Sequence, residues 1–168
     1  MVEIQHLQSG DAGKVQSALE AARERGDIRW VRPLLEAYRD APEAGIRDAI
    51  GEVLSSLKIS EAADVFHDAL GDPEYEGVQA DIIAFMWNTG LMPEEALLLV
   101  VELGVAGDYR CAMEALTWIE QLDAVLDENK LLESILVVRG ALDDSERADL
   151  HPLVQPMLEA LHALERAQ

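Results

Sequence analysis

The stretch 75–91, YEGVQADIIAFMWNTGL, decides the fold because its pattern of small and apolar residues occurs three times in the chain. At an offset of 32 residues it aligns with 43–59, EAGIRDAIGEVLSSLKI. At an offset of 31 it aligns with 108–122, DYRCAMEALTWIEQL, and Trp87 then falls on Trp118. Self-similarity at a period of this length indicates stacked structural units rather than one irregular domain.

Each unit is predicted to be helical, because its apolar residues recur at spacings of three and four. Gly and Pro mark the turns, as in GDP at 71–73 and NTGLMPEE at 88–95. No segment alternates with a period of two, so no sheet is expected. The last helix is expected to be interrupted near HPLVQP, since Pro152 and Pro156 cannot both lie deep inside one continuous helix. The predicted helices are 12–25, 28–40, 43–58, 60–70, 75–89, 94–106, 109–122, 128–140 and 144–165.

The two aligned tryptophans are predicted to be core residues, with ligand stacking as the alternative. Small residues precede each one on a single helical stripe, which suits close packing between helices. The first repeat is polar at the same positions, as expected for a repeat at the end of an array, because nothing stacks on its outer side. The two stripes are Ala80, Ala84, Trp87 and Leu91, and Cys111, Ala115, Trp118 and Leu122.

The segment 46–54, IRDAIGEVL, resembles the second helix of HEAT repeats, in particular the short variety called PBS-lyase-like HEAT repeats. The resemblance covers about residues 27–123, and it departs from the family at Gln79, where Arg is usual, and at Tyr109, where Val is usual. It implies an α-α superhelix, a short right-handed solenoid of helical hairpins. A tetratricopeptide array is the alternative, although its Trp-Leu-Gly-Tyr spacing is absent.

The predicted fold class is therefore all-α. The chain is expected to form one domain over 1–168, with a repeat-like core at about 27–123 and atypical capping helices at 124–168.

The composition limits the classes of partner. A net charge of −20 repels phosphate backbones, so nucleic-acid binding is not expected. The acidity suits a basic partner, but adaptation to salt or genome composition would also produce it. The N-terminal sequence lacks the pattern of a signal peptide, and the longest apolar stretch, ALLLVVELGVAG at 96–107, is too short to span a bilayer. We expect a soluble, cytoplasmic protein with no membrane partner.

Candidate catalytic and metal-binding residues are sparse. Cys111 is the only cysteine, which leaves no disulfide and no cysteine metal cluster. The four histidines, His6, His67, His151 and His162, lack the spacing of metal ligands. Paired carboxylates at helix starts are better explained as caps that complement the helix dipole. We therefore expect no catalytic residue, no metal and no cofactor.

Two sets of residues are candidates for binding. Arg47, Gln79 and Arg110 align on the second helices, and Glu114 lies one turn beyond Arg110. They form either a structural ladder with acidic residues of neighbouring units or a surface for a partner. Helix 94–106 is apolar on nearly every side, so either the C-terminal segment or a second subunit must cover it. Leu98 and Val101 are its candidate residues for self-association, and a homodimer is possible.

The predicted function is that of a non-catalytic protein–protein interaction module that binds a protein or peptide, possibly a basic one. Two alternatives remain. The HEAT resemblance implies a possible cofactor- or chromophore-handling accessory protein related to phycobilin lyases. The apolar helix alternatively indicates a structural homo-oligomer.

Overall fold

A computed structural model describes residues 2–168, and within them the fold is all-α, as predicted. These residues form ten α-helices and five short 3-10 helices, with no strand. The α-helices are α1 Val2–Gln5, α2 Ala12–Arg25, α3 Val31–Asp40, α4 Ala44–Ser55, α5 Ala62–Leu70, α6 Gln79–Thr89, α7 Leu97–Ala106, α8 Tyr109–Glu120, α9 Glu128–Asp143 and α10 His151–Arg166.

The chain divides into two compact units, one ending at Val78 and one running from Gln79 to Gln168. The boundary falls inside the predicted repeat-like core, at the start of α6. In the first unit α3 packs against α4 and α5, and α2 packs against α4. In the second unit α8 contacts both α6 and α10, while α7 contacts α8 and α9, and α9 contacts α10.

Local sequence signals set the helix ends. The Asp11 carboxylate accepts a hydrogen bond from the Lys14 amide at 2.9 Å, and so caps the start of α2. Gly26 ends the same helix with a φ of 52°, a left-handed conformation that glycine adopts without strain. Asp108 and Asp127 cap α8 and α9 in the way that Asp11 caps α2. These caps explain why the predicted starts of α2, α8 and α9, and the predicted end of α2, agree with the observed ones.

The interruption expected near HPLVQP is found directly before it, and Pro152 and Pro156 do not both lie deep inside α10. Pro152 lies in the first turn of α10, where a missing N–H breaks no hydrogen bond, and α10 continues through Pro156. The break lies earlier, in the 3-10 segment Ser145–Leu150, where Arg147 has non-helical angles of φ −109° and ψ 21°.

A shared burial pattern fixes the register of the repeat. Three segments bury the positions i, i+4, i+7 and i+8, and these begin at Ile46, Val78 and Cys111. The first two starts are 32 residues apart, in agreement with the sequence alignment. The second and third are 33 apart, two more than the sequence offset of 31, although the ends of α6 and α8, at Thr89 and Glu120, are 31 residues apart. The four positions are Ile46, Ile50, Val53 and Leu54; Val78, Ile82, Phe85 and Met86; and Cys111, Ala115, Trp118 and Ile119.

In the register given by burial, the two tryptophans occupy different positions of the repeat. Trp118 is fully buried and falls on Phe85, so its prediction as a core residue is confirmed. Trp87 falls on the exposed Glu120 and is itself only half-buried. Trp87 is therefore a side chain at the edge of the core, and the prediction of equivalent places for the two residues is wrong.

The second unit has one point of very close helix contact, at Gly104 of α7. A Cβ atom at this position would lie 2.5 Å from the Cβ of Ala115 in α8 and 3.3 Å from the Cε of Met157 in α10. Both distances are shorter than normal carbon contacts. Only glycine at residue 104 allows α7 to lie so near its neighbours.

Candidate binding surface

Arg47, the first predicted interaction residue, makes internal contacts at the end of α3. Its Nη2 donates hydrogen bonds to the carbonyl oxygens of Arg39 at 3.4 Å and Ala41 at 3.2 Å. Its guanidinium carbon lies 5.7 Å from the centroid of the Tyr38 ring, within cation–π distance. A cation at the last carbonyls of a helix also complements the helix dipole. Arg47 thus stabilises the α3–α4 corner.

Arg110 and Glu114 lie together on a seam between α6 and α8. The guanidinium of Arg110 forms an ion pair with Asp81, whose side chain is only 13% exposed. The indole Nε1 of Trp87 donates a hydrogen bond to Oε2 of Glu114 at 2.8 Å. Asp81 precedes Trp87 on α6 as Arg110 precedes Glu114 on α8, so the two helices run in the same direction.

These contacts favour the structural ladder for Arg110, since its partner is an acidic residue on the neighbouring helix. Gln79 is the first residue of α6 and is half-buried. Of the four predicted residues, Arg47 lies in the first unit, while Gln79, Arg110 and Glu114 lie in the second. The burial register explains the difference, because Arg47 follows the first buried position of its segment whereas Arg110 precedes it.

The outer side of α8 carries two exposed apolar residues that the sequence analysis did not select. Tyr109 is 61% exposed and Met113 is 42% exposed. They lie one turn apart and so share a face of the helix. The offset of 31 aligned them with Val78 and Ile82, which are buried, and this alignment hid their exposure.

The predicted self-association helix, α7, is covered within its own unit by α8 and α9. Val101 is fully buried and Leu98 is half-buried. Val101 therefore contacts the interior and offers no surface to a second subunit. The cover is intramolecular, as one of the two expectations had it, but α8 and α9 supply most of it and the C-terminal helix does not.

The second unit carries a groove between the end of α8 and the length of α10, with a volume of about 390 Å³. Its rim holds three carboxylates, those of Glu120, Asp123 and Glu159, and none of its lining residues is Lys or Arg. We call this feature the α8–α10 groove. Its apolar lining is formed by Ile119, Leu122, Pro156, Ala160, Ala163, Leu164 and Ala167.

One contact near the groove joins its two walls. The side-chain amide of Gln168 donates a hydrogen bond to the carbonyl oxygen of Val125 at 2.5 Å. This bond ties the end of α10 to the loop that follows α8. The sequence analysis missed the groove because its lining residues come from two separate stretches, 119–123 and 156–167.

Cys111, in the first turn of α8, carries a buried thiol in a closely packed place. Burial raises the pKa of its thiol, and the carboxylate of Asp108 raises it further. A raised pKa lowers the fraction of reactive thiolate at neutral pH. Its Cβ also lies 2.7 Å from where a Cβ on Gly107 would be, so the space around it is filled.

We expect the Cys111 thiol to react much more slowly in the native protein than in the unfolded protein. The reason is both its raised pKa and its burial, since only 9% of the residue is exposed. The measurement is the rate of modification by an aromatic disulfide reagent at pH 7, with and without denaturant. Equal rates in the two conditions would show that the first turn of α8 opens freely.

Residues 2–168 provide neither a metal site nor a membrane span. No group of three or more His, Cys, Asp or Glu side chains is placed to hold a metal ion. None of the helices in this range combines the length and the apolar character needed to cross a membrane.

No family model, curated protein or solved structure matches this chain.

Proposed function

We propose that the chain is a non-catalytic interaction module of HEAT-like helical-repeat type that binds a basic segment of a partner protein in the α8–α10 groove. The observation that carries the proposal is the groove itself, where an apolar floor lies between carboxylates and no basic residue takes part in the lining. Apolar contacts would supply affinity, while the rim charges would select a partner of opposite sign.

The charge of the whole chain supports the same partner. A net charge of −20 attracts cationic segments over distances comparable to the Debye length, about 8–10 Å at physiological salt. Such steering raises the association rate and makes it sensitive to salt.

The repeat architecture is supported by the recurring burial pattern and by the helix order. Segments that begin at Ile46, Val78 and Cys111 bury the same four relative positions. In the second unit α6, α8 and α10 are successive neighbours, with α7 and α9 contacting each other. Alternate helices that contact their counterparts are typical of stacked helical hairpins.

The test removes the negative charges of the three carboxylates on the rim of the groove. We expect the triple variant Glu120→Gln, Asp123→Asn, Glu159→Gln to bind a fluorescein-labelled Lys- and Leu-rich peptide about tenfold more weakly than the wild type, a loss of ~1.4 kcal/mol. Fluorescence anisotropy at low and moderate salt measures the dissociation constants. All three side chains are exposed, so the variant should remain folded.

A matched control separates local from global charge. The variant Glu133→Gln, Asp143→Asn, Glu146→Gln removes the same number of charges from exposed positions of the same unit outside the groove. It should bind the peptide nearly as well as the wild type. Equal weakening by the two triple variants would show that binding follows net charge and not the groove.

Self-association is the second candidate, and one observation favours it. Leu132 and Leu136 lie one turn apart on α9 and are 49% and 64% exposed, which gives this helix an apolar outer face. Light scattering of the wild type and of Leu132→Ser, Leu136→Ser would detect a dimer through this face. A wild-type dimer at moderate salt that the variant does not form would assign self-association to this face, whereas both should be monomers at low salt, because two copies of this chain repel each other.

A further inference from the structure

We infer that the segment bound in the α8–α10 groove is an amphipathic α-helix of about three turns with basic side chains on both flanks of its apolar stripe. This inference rests on the proposed function and concerns the form of the partner. It follows from the backbone, the length and the charges of the groove.

The first argument is the backbone that lines the groove. The walls come from α8, α10 and the short turn after α8, and these helices pair their main-chain N–H and C=O groups internally except for carbonyls of their last turns. An extended peptide binds best where a sheet edge offers free N–H and C=O groups, and residues 2–168 contain no strand. A helical partner needs no such edge because its own backbone is already paired.

The second argument is the size of the floor. Along α10 the lining runs from Pro156 to Ala167, and at a rise of 1.5 Å per residue this spans about 16 Å, or three helical turns. Pro156, Ala160, Ala163 and Ala167 follow one another at spacings of four, three and four, so they form a single stripe. Small side chains on such a stripe allow a second helix to approach at the short end of the usual 8–10 Å axial distance.

The third argument is the position of the carboxylates. Glu120 and Asp123 belong to the wall formed by α8 and its following turn, whereas Glu159 belongs to the wall formed by α10. A helix lying between these walls meets negative charge on each side. It therefore needs Lys or Arg on both flanks of an apolar stripe spaced i, i+4, i+7 and i+11.

The experiment compares four labelled peptides of 15 residues against the full chain by fluorescence anisotropy. The first has Leu at i, i+4, i+7 and i+11 with Lys and Arg on the flanks. The second has the same composition in scrambled order, the third carries a central Pro, and the fourth has Glu in place of each basic residue. We expect the first to bind at least tenfold more tightly than the others and to gain helical circular dichroism on mixing.

The outcomes separate the two claims. Equal binding of the first and third peptides, with no gain of helicity, would overturn the helical partner and leave the proposed function standing. Binding of the acidic peptide as tightly as the first, or no binding by any peptide, would overturn the proposed function itself.

A substitution on the α10 stripe that lines the groove tests the binding site independently. Ala163→Leu places a larger side chain on the exposed stripe of α10 and should weaken binding of the first peptide about tenfold without unfolding the helix. Ala148→Leu, at an exposed position of the same unit outside the groove, is the control and should change nothing. Unchanged binding of the first peptide by Ala163→Leu would exclude the stripe as the binding site of the partner helix.

Discussion

Replacing Trp118 with alanine is expected to lower the free energy of unfolding by about 3–5 kcal/mol, the range found when a large buried aromatic residue is truncated. Trp118 is fully buried at the i+7 position of the shared pattern, so its removal leaves a cavity in the second unit. Its indole Nε1 has no hydrogen-bond partner among residues 2–168, so the loss arises from packing alone. Urea unfolding followed by circular dichroism measures the change.

Trp87→Ala is the matched control, and it should cost only about 1–2 kcal/mol. Trp87 is half-buried, and its removal deletes part of an apolar contact and the hydrogen bond to Glu114. If both substitutions destabilised the protein equally, the two tryptophans would be equivalent after all. The offset of 31 would then replace the burial register.

The second large effect is expected at Gly104. Gly104→Ala should lower the free energy of unfolding by about 1–3 kcal/mol, although alanine is the better helix former. The added methyl group would lie 2.5 Å from the Cβ of Ala115, which is attached directly to the α8 backbone. Relief would require α7 and α8 to move apart. Thermal or urea unfolding gives the measurement.

Gly140→Ala on α9 tests the same substitution where space is open. A Cβ at Gly140 meets no atom within 4 Å, and the residue is exposed within a helix. The change should stabilise the protein by about 0.5–1 kcal/mol, because alanine loses less backbone entropy on folding. A stabilising effect at Gly104 as well would contradict the close contact between α7 and α8.

The helices themselves could be predicted from the sequence because their signals are local. Residues 12–25 were predicted as a helix, and α2 has those bounds, since Asp11 caps its start and Gly26 ends it. The all-α class follows from the same kind of information. The exception is α10, which begins at His151 and not at 144, because the 3-10 segment Ser145–Leu150 separates it from α9.

The register of the third repeat, the one that contains α8, could not be predicted from such local signals. Matching Trp87 to Trp118 gave the most conspicuous alignment, yet burial depends on which residues face the neighbouring helices. The offset of 33 given by burial puts Trp118 on Phe85, a match between different residue types. Arg47 and Arg110 were grouped by the same alignment, although one bonds to backbone carbonyls and the other to Asp81.

The α8–α10 groove lay beyond sequence reasoning for a different reason. Alanine and proline give little functional signal, and its two linings are separated by more than thirty residues of chain. Only the packing of α8 against α10 brings Glu120 near the stripe of Ala160 and Ala163. Such a site depends on tertiary contacts that no local pattern encodes.

The order of helix contacts in the second unit has a consequence for how this unit folds. Its main contacts join helices that are next or next but one along the chain, as in α7 with α8 and α8 with α10. Closing such short loops costs little chain entropy, and proteins of low contact order fold on microsecond to millisecond timescales. Folding of this unit can begin in either hairpin, α7–α8 or α9–α10, and spread to its neighbour. A destabilising substitution in one hairpin then slows the folding of that hairpin, while folding can still begin in the other.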